Sequence, residues 1–471
     1  MSSPSQTILG SRKKYMATST PTAPSMETLV SLAKRRGFVF QSSEIYGGLA
    51  GFWDYGPYGT EMAKNIRDAW WKHFVYQYPN IVGLDSTIIQ NPKLWKASGH
   101  VDTFVDPMVD CKFCQHRFRA DHLTDFETKN LTEYDTALTK VKCPHCGKTG
   151  GFTQTKQFNM MFKTYVGPVT TEDNVAYLRP ETAGGIFAQF QNVLETSRQR
   201  IPFGIAQIGK AFRNEITPGD FIFRVRELEQ MELEYFVSPD VGHTEHQAWI
   251  KVCQNWLLSI GLPKDKLKLY EHGPDERAHY AAASVDIQYE YPMGFKELYG
   301  VAYRTDYDLT VQSKGSGKDL SYFDEPTKSR FMPHVIEPSV GVGRLLLALM
   351  HAAYREEDVD GEKRVVLKFS PEIAPVKVAI LPLSKNEKLA PIARGIFDQL
   401  AGSYRVEYDE TQSIGRRYRR QDEIGTPLCV TIDFDTLEDK AVTIRHRDTM
   451  KQIRVAITDL PEQIDKLIKA F

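Results

Sequence analysis

The sequence predicts an α+β domain built on a largely antiparallel sheet, interrupted by a cysteine-knuckle insertion and followed by a smaller α/β domain. Three observations predict it. The segments AYLRPE, FGIAQIGKAFRNEI, FRVRELEQMELEYF and YGVAYRTDYDLTV alternate in the manner of strands with two unlike faces. Two CxxC pairs stand in a polar stretch, residues 107–156, whose texture differs from its flanks. From about residue 371 short strand patterns alternate with helical ones, which marks an α/β unit.

At 471 residues the chain exceeds what one hydrophobic core organises, so two or three domains are expected. Hydrophobic residues make up 41% and charged residues 25%, and no apolar run approaches the roughly 18 residues of a membrane span. A soluble protein is expected. With 59 Lys plus Arg against 60 Asp plus Glu, the net charge of -1 exerts no global pull on nucleic acid, so such a partner needs local patches. Four of the six cysteines form the CxxC pairs, and Cys253 and Cys429 lie far apart, which suits metal ligands plus buried thiols in a reducing, cytoplasmic setting.

Residues 1–25 lack acids and are rich in Ser, Thr and Pro, the composition of a disordered tail; a transit peptide is the alternative. A larger domain then runs over 26–365. In DYGPYGTEMAKNIRDAWWKHF, Pro57 opens a helix with Met62, Ile66, Ala69, Trp70 and Phe74 at helical spacing. IVGLDSTIIQNP reads as a strand stopped by Asn91 and Pro92. Inside 107–156, CKFC and CPHC are separated by 28 residues. Four thiolates from Cys111, Cys114, Cys143 and Cys146 suit one tetrahedral structural Zn²⁺, with His116 and His145 as spare candidates; disulfides or free thiols are the alternative.

GKAFRNEITPGDFIFRVRELEQMELEYF, residues 209–236, reads as a charged hairpin. Arg213 and Glu215 share a face of the first arm, TPGD makes the turn, and Arg224, Arg226, Leu228, Gln230 and Glu232 share a face of the second. Val225, Met231 and Leu233 fall on the other face, along with Glu227 and Glu229. Guanidinium groups match phosphate oxygens, and carboxylates accept from an amine or hold Mg²⁺, so this face suits a nucleotide triphosphate beside an ammonium. A solvated surface hairpin is the competing reading. RPETAGGIF adds Arg179 and Glu181, and EPSVGVGR adds Glu337, Ser339 and Arg344 around glycines that admit a ligand close to backbone. Plain helix-to-sheet packing is the alternative for the latter.

After a charged link, REEDVDGEKR, residues 371–471 carry VKVAILPL, a helix from about 387 to 401, YRVEYDE, PLCVTIDF, AVTIRHRD, IRVAI and a last helix. SIGRRYRRQDEIGTP concentrates Arg416, Arg417, Arg419 and Arg420 around Tyr418, a patch for RNA backbone or else a solvated face.

FRNE followed by RxxxLxxxE resembles the second signature of class II aminoacyl-tRNA synthetases. GVGR before an apolar helix resembles the third, and the helix, strand and Pro92 resemble the first. YGGLAGFWDYGP, SGHVDTF, RPETAGGIFAQF, ELYGVAYRTDYDL and SIGRRYRRQDEIGTP resemble the homodimeric glycyl-tRNA synthetase family in particular, over nearly everything after residue 26.

The resemblance implies a class II fold with an anticodon-binding domain, and a ligase that joins glycine to tRNA(Gly) through glycyl-adenylate with ATP and Mg²⁺. It implies catalytic roles for Arg213, Glu215 and Arg344. Arg213 would grip the α-phosphate, Glu215 the adenine amino group, Arg224 the outer phosphates, and Arg344 would stack on the adenine. Glu297 would help hold ATP and metal, with Asn214, Phe223, Arg226, Leu228, Leu298, Gly341 and Gly343 completing the ATP site. Glycine would sit among Glu181, Glu232, Glu337 and Ser339, with Gln230 and His100 nearby. The four arginines at 416–420 would face tRNA. Leu228 departs from the pattern, which has phenylalanine there. The competing function is a non-catalytic, synthetase-like nucleic-acid-binding accessory protein, which would lack the charged site residues that this chain retains.

Overall fold

The computed structural model describes residues 23–471 apart from 125, 127, 129, 275 and 279. Most of the expected tail, residues 1–22, lies outside the described residues. Helix α1, Met26–Arg36, starts where the Ser25 side chain accepts from Thr28 N (3.2 Å) and stops at Gly37, whose φ of 74° closes the end. Helix α2, Pro57–Trp71, buries the expected Met62, Ile66, Ala69 and Trp70, and a wider turn continues it to bury Phe74.

Strand β1 is only Ile81–Gly83, shorter than the sequence suggests. Leu84 N still donates to Ala206 O, but Ser86 then donates to Gln207 and Thr87 to Ile89 O, and these side-chain bonds draw the chain off the ladder. Pro92 does not end a strand; it opens helix α3, Pro92–Ala97, where its missing N–H costs nothing and Asn91 supplies the cap.

The insertion is a three-stranded sheet of β2, Val105–Asp110, β3, Arg117–Arg119, and, after helix α4, Leu131–Leu138, strand β4, Lys156–Asn159. Its own small core joins Val109, Ala120, Tyr134, Leu138 and Phe152 with Cys111 and Cys143.

The main sheet follows helix α5, Ala183–Ser197. It takes β5, Phe203–Phe212, and β6, Glu227–Val237; helix α6, Gly242–Ser259, leads to β7, Leu267–Glu271, β8, Ala283–Tyr291, and β9, Gly294–Thr305. Helix α7, Tyr307–Ser316, takes over the end of what reads as one strand, and β10, His334–Gly341, runs into helix α8, Val342–Ala353. The order is β7-β8-β9-β10-β6-β5-β1, antiparallel throughout except that β1 runs parallel to β5. One face, with Met231, Leu233, Ile287 and Val301, packs under α1, α2, α6 and α8 in the principal core. On the other face α5 and Leu309 of α7 cover Phe203, Ile205, Phe236 and Val335, and the part around Gln230, Glu232, Gly300 and Ser339 stays open.

The charged hairpin is corrected by the structure: residues 213–226 leave the sheet as a loop. Arg226 N donates to Gly51 O and Asn214 N to Met160 O, while Phe221, Ile222 and Phe223 are buried, Phe221 edge-on to Trp53 at 4.8 Å. Apolar anchoring to remote segments outweighs the local strand pattern. The charged link is likewise a hairpin, β11, Tyr354–Val359, and β12, Glu362–Leu367, turned by Asp360 and Gly361, both at positive φ.

The C-terminal part contains β13, Val378–Pro382, α9, Leu389–Ala401, β14, Val406–Tyr408, α10, Ile414–Ile424, β15, Leu428–Ile432, β16, Ala441–His446, β17, Gln452–Ala456, and α11, Leu460–Lys469. Its mixed sheet, β14-β13-β15-β16-β17, has a separate core around Ile380, Ile396, Val430, Ile444 and Ile464.

Candidate active site

The open face of the main sheet forms a cavity of about 260 Å³. The pleat places Gln230, Glu232 and Glu234 of β6 on this face, with Glu232 opposite Ser339 of β10. Glu232 is held from several sides: Thr182 N (3.0 Å), the Thr182 hydroxyl, Ser339 Oγ (2.8 Å) and Gln230 Nε2 (2.8 Å) all donate to it. Behind it Arg304, 1% exposed, donates twice to Asp308 (2.7 and 2.8 Å) and once to Glu337, and lies 3.9 Å from Glu181. Phe187 and Tyr280 flank its guanidinium at 5.3 and 4.1 Å. His100 Nε2 is 3.5 Å from Glu181.

These acids are unlike one another. Burial opposes ionisation of Glu181, but His100, Arg304 and Arg213 outweigh it and hold its carboxyl down at about 2. Burial, with Glu232 and Glu181 adding repulsion against the pull of Arg304, pushes Glu337 up to about 8. Glu234, wholly buried with neither carboxyl oxygen hydrogen-bonded, is raised well above the usual range by burial and by Glu337. One end of the cavity is therefore an acidic seat fixed on a buried guanidinium.

The other end is basic and flat-walled. Arg213, anchored by Nε to Pro180 O (3.0 Å), and Arg224 reach it from the 213–226 loop, together with Glu215 and Phe223, and Leu228 joins them from the start of β6. Arg344 stacks on Phe223 at 4.4 Å and donates to Glu297 at 2.8 Å. The Arg344 charge is the main cause holding Glu297 below its ordinary range. Gly343 lets α8 approach the loop, since a Cβ there would lie 3.1 Å from Ile222 O.

Thus Glu181, Arg213, Glu215, Phe223, Arg224, Leu228, Gln230, Glu232, Glu297, Leu298, Glu337, Ser339, Gly341, Gly343 and Arg344 share one cavity. Three expected residues do not line it. His100 stands behind Glu181; Asn214 is held by its backbone; Arg226 directs its guanidinium at Glu215 O and Ala50 O as a strut for the loop. Sequence reasoning missed Arg304, Glu234 and Asp286. Arg304 stands at the end of β9 and Asp308 at the start of α7, so their ion pair forms across a strand-to-helix junction that strand periodicity does not reveal. Asp286 sits on the alternating strand SVDIQYEY, lines the cavity, pairs with His272 at 2.9 Å, and is raised to about 6 by burial and by Glu297.

Away from the cavity, the Sγ atoms of Cys111, Cys114, Cys143 and Cys146 lie within 4.8 Å of one another and can hold a metal ion. On α10 the four arginines separate. Arg416 is exposed and Arg419 and Arg420 are partly so, but Arg417 is fully buried and donates to Pro382 O and to Leu383 O (3.0 Å), so its expected RNA contact is corrected to a structural role.

Residues 162–353 match the family described as tRNA synthetase class II core domain (G, H, P, S and T), and residues 377–467 match the anticodon binding domain family. The chain is similar to a glycine–tRNA ligase of Thermobifida fusca, 53% identical over 448 residues covering 93% of this chain and 97% of that protein. It is also similar to those of Bacillus cereus, 51% identical over 458 residues (94% and 99%), and Streptomyces coelicolor, 50% identical over 447 residues (93% and 97%). With class II core, anticodon-binding module and half-identical full-length relatives all in agreement, the chain belongs to the glycine–tRNA ligase family of class II aminoacyl-tRNA synthetases.

Proposed function

We infer that this chain is a glycine–tRNA ligase: it activates glycine with ATP to glycyl-adenylate and transfers glycyl to the 3′ end of tRNA(Gly). The observation that supports this best is the polarity of one cavity, with Glu181, Glu232 and Glu337 at one end and Arg213, Arg224 and Arg344 at the other. The acids receive the ammonium of glycine, which leaves its carboxylate toward Arg213. That carboxylate attacks the α-phosphorus in line, pyrophosphate leaves, and Arg213 stabilises the charge that develops, so positioning and electrostatics carry the acceleration. Arg344 and Leu228 bracket the adenine, Glu215 accepts from its amino group, and Arg224 meets the outer phosphates. The chain's own carboxylates fit Mg²⁺ as well: Asp286 and Glu297 face the cavity close enough to raise Asp286, a repulsion that a hard cation relieves. Bound there, Mg²⁺ supplies charge neutralisation to the phosphates.

A pocket that merely bound methyl groups less well would discriminate by only about 1 to 3 kcal/mol, so rejection of alanine requires exclusion by contact. The hydrogen bonds fixing Glu232 and the guanidinium behind Glu337 supply that firmness.

Four thiolates around Zn²⁺ at about 2.3 Å stand about 3.8 Å apart. The Cys111–Cys146 and Cys114–Cys143 separations, 3.8 and 3.7 Å, fit that tetrahedron and are far too long for disulfides. Zinc is the ion assigned here. Arg416 and Arg419 are the RNA-facing arginines, because the Arg420 guanidinium is taken up by Asp409, Thr411 and Gln412. A homodimer covers the partly exposed Ile88 and Ile89 beside Pro92, and the free thiols of Cys253 and Cys429 suit the cytoplasm; no helix among the described residues is long and apolar enough to cross a membrane. Glycine-dependent exchange of pyrophosphate into ATP tests the enzyme, and a folded protein without exchange would leave the accessory reading. Sedimentation tests the dimer.

A further inference from the structure

Helix α10, which presents Arg416 and Arg419, is gripped through two consecutive acids, and the helical period places the second of them, Glu423, on the same stripe as Arg416 and Arg419. Asp422, 1% exposed, accepts from Arg364 Nε (2.8 Å) and from both terminal nitrogens of Arg445 (3.0 and 3.2 Å). Arg364 belongs to hairpin β11–β12, outside the C-terminal sheet, and is itself fixed by Glu357 (2.5 Å) and by Arg447 O (2.6 Å). Glu423 points elsewhere: Arg36 Nε donates to it at 2.6 Å and Arg35 Nη2 at 2.9 Å. Both arginines end α1, whose Leu29, Leu32 and Ala33 are buried in the core beneath the main sheet. The next residue, Ile424, inserts into that same core. Three successive residues of α10 therefore attach it to the body that holds the cavity, and Glu423 does so from the stripe it shares with the exposed Arg416.

We propose that Glu423 and its partners Arg35 and Arg36 are positioning residues that fix the arginine face of α10 relative to the cavity, setting how tRNA is seated without taking part in glycine activation. This rests on the ligase reading above. Glu423 is the informative member because its side chain is 17% exposed and its arginines are 53% and 23% exposed, so reversal of charge there does not bury an orphaned ion.

The test compares the full-length wild type, E423R, the double variant R35E/R36E, and the triple variant R35E/R36E/E423R, in which the charges are exchanged. Three quantities are read: affinity for an unmodified tRNA(Gly) transcript, aminoacylation of that transcript, and glycine-dependent pyrophosphate exchange. E423R and R35E/R36E are expected to weaken transcript binding about tenfold and to lower aminoacylation accordingly, with exchange within about twofold of wild type; the triple variant recovers most of the loss. A merely structural role would lower exchange in parallel, and that outcome overturns the proposal, as does unchanged transcript affinity in both single-sided variants or a triple variant no better than they are. Exchange by the wild type judges the ligase reading separately, because transcript affinity reports the positioning role whether or not exchange occurs.

Discussion

Glu234 stands one strand step below the acidic seat, where a buried sheet residue is ordinarily apolar, and neither of its carboxyl oxygens has a partner. An ionised carboxylate in that setting carries a large desolvation cost, so it stays protonated. An amide imitates that state. Glu234→Gln is expected to keep pyrophosphate exchange within about twofold of wild type at pH 7, whereas Glu232→Gln, which removes a charge fixed by several donors, loses more than about tenfold. The pH sign follows from the raised value. Glu234 remains protonated in the fold but ionises in the unfolded chain above the ordinary 4.5, so its contribution to stability falls as pH rises above that value. Melting of Glu234→Gln should therefore match wild type at pH 5 and exceed it at pH 8; equal curves at both would mean that Glu234 is ionised. At the other end of the cavity Leu228 offers an aliphatic surface where a ring would stack. Leu228→Phe should lower the ATP KM about fivefold, equivalent to ~1 kcal/mol, and an unchanged KM would show that Phe223 and Arg344 already supply all the stacking the site uses.

Among the elements, the insertion depends most on chemistry outside hydrophobic burial. Cys111 and Cys143 are part of its core, which otherwise rests on a handful of side chains. Cys143→Ser should lower zinc from about one per chain to near none and open residues 107–156 to protease while the main sheet persists; metal analysis and limited proteolysis check both. Retained zinc would refute the tetrathiolate assignment. This insertion was legible because CxxC spacing is local. So was α2, whose apolar stripe and opening proline sit within one short stretch, and so was β6 from Glu227 to Val237. The loop 213–226 was not, because what removes it from the sheet is distant: Gly51 accepts from Arg226, and Trp53 packs on Phe221. Arg417 was misread for a related reason, since its neighbours in sequence are exposed or half-exposed while its guanidinium bonds Pro382 and Leu383.

Across the whole molecule, two cores are joined rather than merely adjacent. Val376 and Ile424 belong to the principal core, although the chain has by then entered the C-terminal part, and the buried Arg364–Asp422 pair seals the junction. The protein should unfold in a single calorimetric transition. Arg364→Ala leaves Asp422 short of a partner at a cost of about 3 to 5 kcal/mol and should split the transition in two; a single sharp peak in that variant would mean the apolar contacts suffice. The division into α+β and α/β parts could be read from periodicity, because each part carries its own pattern, but the seam between them could not, being made of residues from 58 to 388 positions apart. That separation has a consequence for biosynthesis. Arg36 and Glu423 are 387 positions apart, so helix α1, the first among the described residues, must wait for that much more of the polypeptide before its last contact can form. Until then its terminal arginines remain uncovered, and completion of the fold is tied to completion of the chain.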